Sequence, residues 1–115
     1  MDAKAVVETF WRIQDEGDYT ALVDLFAEDA LLEDPVYGNF EGREAIRGFM
    51  EKMNVEMKDR DIDFVANEIA GEGSVAWCQW TARTPTGNIE GCGLYRTREG
   101  QLTYYKDYMN AQASP

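Results

Sequence analysis

The chain has 115 residues, 44% of them hydrophobic, and its 11 basic and 22 acidic residues give a net charge of −11. A chain of this length and composition predicts a single domain over residues 1–115, with a core of its own. The acidic balance argues against nucleic acid and anionic membranes as partners. Since the chain has no histidine, it cannot by itself form a Ser-His-Asp or Cys-His catalytic site or a metal site built on imidazole.

Two further absences narrow the expected class of protein. No apolar run approaches the roughly 18 residues of a membrane span. The N-terminus lacks the pattern of a secretory signal, so we expect a cytoplasmic location. Cys78 and Cys92 alone cannot complete a zinc site, and we expect neither a metal nor a cofactor. In a reducing compartment both cysteines are expected to be free thiols.

Three helices are predicted in the first half of the chain. Asp2 is a suitable cap for the first helix, residues 3–16, in which apolar residues recur at helical spacing. Asp18 caps the second helix, residues 19–27, and Gly17 before it suits the end of the first. The third helix is expected to run from Gly42 to about residue 53, again with one apolar side.

A short strand, residues 30–34, is predicted between the second and third helices. Its last residue, Asp34, stands directly before Pro35, and a residue before proline is pushed into an extended conformation. The following segment, residues 36–40, contains Tyr37 and can fold over the carboxylate. The pattern therefore predicts a carboxylate held at the end of a strand, with Tyr37 beside it.

After the third helix the apolar period changes from 3.6 to 2. Strands are predicted over residues 61–70, 74–84, 88–97 and 101–109, with glycine-containing turns between them. Helices followed by a run of hairpins indicate an α+β domain, in which a curved antiparallel sheet wraps on the helices. A strongly curved sheet with helices on its concave face encloses a cone-shaped space. The open end of this cone is the expected ligand pocket.

Three segments of the first half carry a resemblance to a known group of proteins. Residues 17–30, the tripeptide Glu33-Asp34-Pro35 and residues 42–46 resemble the nuclear transport factor 2-like superfamily. That superfamily includes ketosteroid isomerases, limonene epoxide hydrolases and SnoaL-like polyketide cyclases. Residues 93–109 are also similar to SnoaL-like proteins. The resemblance implies a cone-shaped, cystatin-like roll that forms one SnoaL-like domain.

The resemblance also implies roles for individual residues. In ketosteroid isomerases the aspartate of a Glu-Asp-Pro segment is the proton-shuttling base, which matches Asp34. The oxyanion donors of those enzymes match Phe10 and Gly93, and neither side chain can donate a hydrogen bond. The last-strand aspartate of the epoxide hydrolases and the cyclases matches Asp107. Asp34 and Asp107 are therefore the predicted catalytic pair.

Side-chain alternation along the strands predicts the pocket wall. We expect Gln79 and Trp77 to face the cone on one strand, Gly93 and Tyr95 on the next, and Tyr105 and Met109 on the last. The predicted ligand-binding residues share this inward position or the apolar sides of the helices and the first strand: Phe10, Leu32, Tyr37, Phe49, Trp77, Gln79, Gly93, Tyr95, Tyr105 and Met109. This mixture suits a small, flat, largely apolar ligand with one or two oxygens.

Several functions remain open at this point. The first is proton transfer on a small apolar carbonyl-type compound, in the manner of an isomerase or a cyclase. A non-catalytic binding or sensor protein, a scaffold that uses the sheet face, and an epoxide hydrolase-like enzyme are the alternatives. The predicted outward row of the sheet is too apolar for a solvated face, and we therefore expect a homodimer that covers it. The residues of this row are Cys78, Trp80, Cys92, Leu94, Tyr104 and Tyr108.

Overall fold

The first helix forms as its pattern predicts. In the computed structural model, which describes residues 1–109, helix α1 spans Ala3–Asp15. Asp2 caps it, because the Asp2 carboxylate accepts a hydrogen bond from the backbone N–H of Ala5 at 2.9 Å. One side of α1 is buried and includes Phe10 and Trp11. The end of the predicted domain, residues 110–115, lies outside the described part.

The second helix is shorter than predicted and is a 3₁₀ helix, Tyr19–Leu25. Asp18 caps it as expected, accepting from the backbone N–H of Thr20 at 3.0 Å. Asn54 of the following α-helix accepts from the Tyr19 N–H at 2.7 Å and donates to Asp18 at 3.1 Å. The prediction of a helix to residue 27 was wrong because Phe26 already pairs with Leu102 in the sheet.

Strand β1 spans Phe26–Asp34 and is longer than predicted, and strand β2, Gly38–Glu41, was not predicted. The two strands form an antiparallel hairpin in which Asp34 pairs with Gly38. Helix α2 then spans Arg43–Asp59. It continues past the predicted end at residue 53 because Met57 extends the buried side that already contains Met50 and Met53.

Four strands complete the sheet: β3 Asp63–Glu72, β4 Val75–Thr84, β5 Gly87–Arg98 and β6 Gln101–Met109. The strand order is β2-β1-β6-β5-β4-β3, and the helices pack on one face. The predicted α+β class is confirmed. One detail differs, since β1 and β6 are parallel and the sheet is therefore mixed. The first strand of the chain thus lies beside the last.

Strand β4 has the opposite orientation from the one predicted. Trp80 is 2% exposed and faces the helices, whereas Trp77 is 47% exposed and faces away from them, as Gln79 does. Gly91 explains the orientation: it pairs with Trp80, and a Cβ atom there would lie 2.2 Å from the indole. The glycine leaves the space that the large ring fills.

This orientation corrects the predicted outer row. Cys78 is fully buried on the helix side, whereas Cys92 pairs with Gln79 on the other face. The two cysteines therefore lie on opposite faces, and both are free thiols. Trp77 takes the outward place that was assigned to Trp80. We call the side toward the helices the inner face and the other side the outer face.

Candidate functional site

A cavity of about 210 Å³ lies between the two α-helices and the inner face of the sheet. Most of its wall is aromatic or contributed by methionine, and two carboxylates, Asp34 and Asp107, also line it. Its wall includes Phe10 and Trp11 of α1, Phe49, Met50, Met53 and Met57 of α2, Leu32 of β1, Trp80 of β4, and Tyr105 and Met109 of β6. Such a cavity is suited to an apolar ligand with few polar groups.

Asp107 lies on the inner face near the end of β6, and two side chains hold its carboxyl group. The indole Nε1 of Trp80 donates to Oδ1 at 3.1 Å, and the Tyr105 hydroxyl donates to Oδ2 at 2.8 Å. Burial raises the pKa of Asp107 to about 7, with a further contribution from the charge of Asp34, while the two hydrogen bonds act in the opposite direction. Both its acid and its anionic form are therefore populated near neutral pH.

Asp34 is held in a different way. It ends β1, and its Oδ1 accepts from the backbone N–H groups of Val36 at 2.8 Å and Tyr37 at 2.9 Å. These bonds are typical of aspartate at a turn, so Asp34 fixes the β1–β2 connection. The residue also lines the cavity. Asp34 therefore both stabilises the turn after β1 and contributes to the cavity wall.

A chain of buried polar groups continues from Asp107 into the core. The rings of Tyr105 and Tyr95 are stacked, with centroids 4.4 Å apart. The indole Nε1 of Trp11 donates to the Tyr95 hydroxyl at 3.0 Å. Burial, and next the charge of Asp107, raise the pKa of both phenols well above the ordinary value, so both remain neutral donors.

The structure brings most of the predicted site residues together. Eight of them line the cavity: Phe10, Leu32, Asp34, Tyr37, Phe49, Tyr105, Asp107 and Met109. Gly93 and Tyr95 lie on the inner face but behind the wall; a Cβ atom on Gly93 would lie 3.0 Å from Asp107 Oδ1. Trp77 and Gln79 were placed in the cavity wrongly, because they line a shallow groove on the outer face.

Sequence reasoning missed Trp80 and the end of α2. Trp80 was assigned outward because Gln79, as the polar residue, was assumed to face the pocket. A usable signal was present for the end of the helix, since Met57 continues the helical spacing of Met50 and Met53 beyond the predicted end. No local pattern points to the Trp11–Tyr95 contact, which joins residues 84 positions apart.

Within residues 1–109 there is no group of three or more cysteine, aspartate or glutamate side chains that could hold a metal ion. Over the same range no helix has both the length and the apolar character needed to cross a membrane.

Comparison with known proteins agrees with this architecture. The family model of the SnoaL-like domain matches residues 7–105. The chain belongs to this SnoaL-like family. It is similar to an uncharacterized PhzA/B-like protein of Pseudomonas aeruginosa, at 30% identity over 127 residues that cover 96% of this chain and 85% of the other. The predicted membership of the nuclear transport factor 2-like superfamily is thereby confirmed.

Two solved structures show the same fold as this SnoaL-like protein. A nuclear transport factor 2-like protein of unknown function from Cytophaga hutchinsonii is 21% identical, with a TM-score of 0.75 over 96% of this chain and 92% of the other. SalBIII, an epoxide hydrolase/cyclase-like enzyme of pyran ring formation in the polyether salinomycin, is 22% identical, with a TM-score of 0.74 over 93% and 89%. At these identities the likeness concerns the fold.

Proposed function

We propose that this SnoaL-like protein binds a small, largely apolar carbonyl-type compound in the cavity and moves a proton on it. The observation that carries the proposal is the state of Asp107, an aspartate on an apolar cavity with a pKa of about 7. A general acid or base is most effective when its pKa is near the working pH. An ordinary surface aspartate would be fully ionised near neutral pH and could not donate a proton there.

The two carboxyl groups have separate roles in this proposal. Asp34 takes a proton from the carbon beside the carbonyl group, and Asp107 in its acid form donates to the carbonyl oxygen. For a β,γ-unsaturated ketone the product is a dienol; Asp34 returns its proton to the γ-carbon while the dienol hydroxyl returns its proton to Asp107, so that the reaction is an isomerisation without net gain or loss of atoms. Two carboxyl groups whose environments differ are a common way to separate acid and base.

The volume of the cavity limits the substrate. A cavity of about 150 Å³ holds a benzene molecule, and this cavity measures about 210 Å³. A single ring with a short substituent therefore fits, whereas a fused four-ring steroid does not. Aromatic walls from Phe10, Phe49 and Trp80 favour a flat compound.

A non-catalytic binding or sensor protein is the second candidate. Phe10, at the position where ketosteroid isomerases have an oxyanion donor, packs edge-on against Tyr105 with centroids 5.4 Å apart and donates nothing. The loss of one such donor typically costs about 2.7–4 kcal/mol of barrier lowering. An epoxide hydrolase-like reaction is a further candidate, because acidic Asp107 could equally protonate an epoxide oxygen.

Deuterium exchange tests the first candidate. The protein would be incubated in D₂O with one-ring ketones and enones, and loss of the C–H signal beside the carbonyl would be followed by NMR. We expect Asp107→Asn and Asp34→Asn each to reduce the exchange rate by about 10²–10⁴-fold. Asp29→Asn is the matched control, since Asp29 is an exposed residue paired with Arg98 at 2.9 Å, away from the cavity.

Binding is measured in parallel through the fluorescence of Trp11 and Trp80, which line the cavity. Binding without exchange in the wild-type protein would support the sensor. Exchange that persists at the wild-type rate in Asp107→Asn would exclude Asp107 as the acid. An epoxide that is opened while no ketone exchanges would favour the hydrolase-like alternative.

A further inference from the structure

The two oxygens of the Asp107 carboxyl group lie in different surroundings. Oδ1 accepts a hydrogen bond from the indole Nε1 of Trp80 at 3.1 Å and lies over Gly93, where a Cβ atom would be 3.0 Å from it. Oδ2 accepts from the hydroxyl of Tyr105 at 2.8 Å, and Tyr105 lines the cavity. One oxygen is therefore placed over strand β5, and the other lies beside a side chain of the cavity wall.

The packing around Trp80 holds its N–H group in this position. The ring is buried and packs edge-on against Phe64, with centroids 5.5 Å apart. Gly91 on the neighbouring strand leaves the space that the ring occupies, since a Cβ atom there would lie 2.2 Å from the indole. A ring that is close-packed in this way has little room to turn, so its N–H group stays directed at Oδ1.

The partners of the two oxygens differ in what they can do with a proton. An indole N–H group only donates, whereas a phenol hydroxyl can donate or accept. A proton on Oδ1 would compete with the Trp80 N–H group for that oxygen. A proton on Oδ2 leaves the Trp80 bond intact and can be accepted by the Tyr105 oxygen or by a ligand in the cavity. The acid form of Asp107 is therefore favoured with its proton on Oδ2.

We infer that Trp80 is a positioning residue that keeps Oδ1 of Asp107 as the carbonyl-type oxygen, so that Oδ2 carries the proton of the acid form and donates it to the ligand. In this step the Oδ2–H bond breaks, an O–H bond to the ligand forms, and Asp107 is left as a carboxylate that accepts from both Trp80 and Tyr105. The inference rests on the proposed acid role of Asp107. It adds that the carbonyl oxygen of the ligand lies against Oδ2, on the Tyr105 side of the carboxyl group.

Infrared spectroscopy of the protein without ligand identifies the oxygen that carries the proton. The C=O stretching band of the Asp107 acid appears as the pH is lowered through its titration and is absent in Asp107→Asn. A hydrogen bond to the carbonyl oxygen lowers the frequency of this band. The titratable groups that face Asp107 are Asp34 from β1, Cys78 from β4, Cys92 and Tyr95 from β5, and Tyr105 from β6 itself. Of these only Asp34 is another carboxyl group, and its band is identified by its loss in Asp34→Asn.

Two variants separate the oxygens. β-(3-Benzothienyl)alanine at position 80 keeps the ring shape and removes the N–H group, so it should raise the C=O frequency of Asp107, while Tyr105→Phe should leave that frequency near the wild-type value. The same replacement at position 77, on the same strand but on the outer face, is the matched control and should change nothing. A rise in Tyr105→Phe, alone or together with the position-80 variant, would place the proton on Oδ1 or on both oxygens and overturn the inference. An unchanged frequency in both variants would overturn it too.

Two NMR measurements distinguish positioning from packing. In the position-80 variant the anion loses a donor, so the pKa of Asp107, followed through a ¹³C-labelled carboxyl carbon, should rise by about 1–2; an unchanged pKa would show that Trp80 acts by packing alone. In the unmodified protein the indole N–H signal of Trp80 should shift with the same midpoint as Asp107, whereas that of Trp77 should not. A Trp80 signal that ignores this titration would exclude the inference without any variant. Because no substrate is used, a failed deuterium exchange experiment leaves these results independent.

Discussion

The two faces of the sheet use tryptophan in opposite ways. Trp80 and Trp77 lie three positions apart on β4, yet Trp80 is 2% exposed and Trp77 is 47% exposed. On the inner face the indole N–H of Trp80 is bonded to Asp107, and its ring packs edge-on against Phe64 with centroids 5.5 Å apart. On the outer face Trp77 borders a shallow groove together with Tyr108, which is 51% exposed.

The difference between the faces comes from the neighbouring strand. Gly91 and Gly93 of β5 lie next to Trp80 and Asp107, and a Cβ atom at either position would come within about 3 Å of these side chains. Glycine inside a strand weakens it unless the space is used. Here the space holds the ring and the carboxyl group of the site. The inner face is thus adapted to Asp107, whereas Trp77 and Tyr108 are left exposed on the outer face.

The largest effect expected from this comparison is on stability. Trp80→Ala removes a buried ring and should lower the free energy of unfolding by about 3–5 kcal/mol. Trp77→Ala is the matched control on the same strand, and its effect should stay within about 0.5 kcal/mol in dilute solution. Urea denaturation of both variants measures the difference. Equal losses would show that the two faces are not distinguished in this way.

The second prediction uses the pKa of Asp107. Above its ordinary pKa of 3.8 the unfolded carboxyl is ionised, whereas the folded one keeps its proton up to about pH 7. The folded state therefore binds more protons in this window, and stability falls as the pH rises through it. The gap corresponds to at most about 4 kcal/mol.

Asp107→Asn removes this pH dependence, because an amide does not titrate. The variant loses one acceptor at every pH, which is a constant cost, so only the change with pH is informative. Relative to wild type it should gain up to about 4 kcal/mol between pH 4 and pH 8, measured by urea denaturation. Parallel curves for the two proteins would mean that Asp107 is an ordinary, solvated aspartate.

The sequence predicts the inward side of β6 correctly but not that of β4. The inward side of β6 was predicted correctly because Asp107 was assigned from a resemblance and its partners follow at every second position. On β4 both alternating sets contain a tryptophan, so hydrophobicity alone does not choose between them. The predicted orientation of β4 depended on placing Gln79 toward the cone. That placement was wrong, and a polar residue on an exposed face is the commoner arrangement.

Other features depend on contacts between distant parts of the chain. The start of β1 at Phe26 is fixed by pairing with Leu102, which no local propensity encodes. The carboxyl group of Asp107 accepts hydrogen bonds from both Trp80, on a different strand, and Tyr105. The sequence predicted the fold class and the position of both carboxylates at the cavity, while the hydrogen bonds that distinguish Asp107 from Asp34 required the three-dimensional structure.

The last and smallest effect concerns the outer face, through which we propose that two copies of the chain associate. The row that supports this is Trp77, Cys92, Leu94 and Tyr108, with Trp77 in place of the buried Trp80.

A central interface tryptophan typically contributes at least about 2 kcal/mol, or roughly a 30-fold change in Kd. Trp77→Glu should therefore shift the protein toward monomer in sedimentation velocity at micromolar concentration. Val55→Glu is the control, since Val55 is 60% exposed on α2 and should leave the dimer intact. A wild-type chain that is monomeric at high micromolar concentration would exclude the proposed dimer.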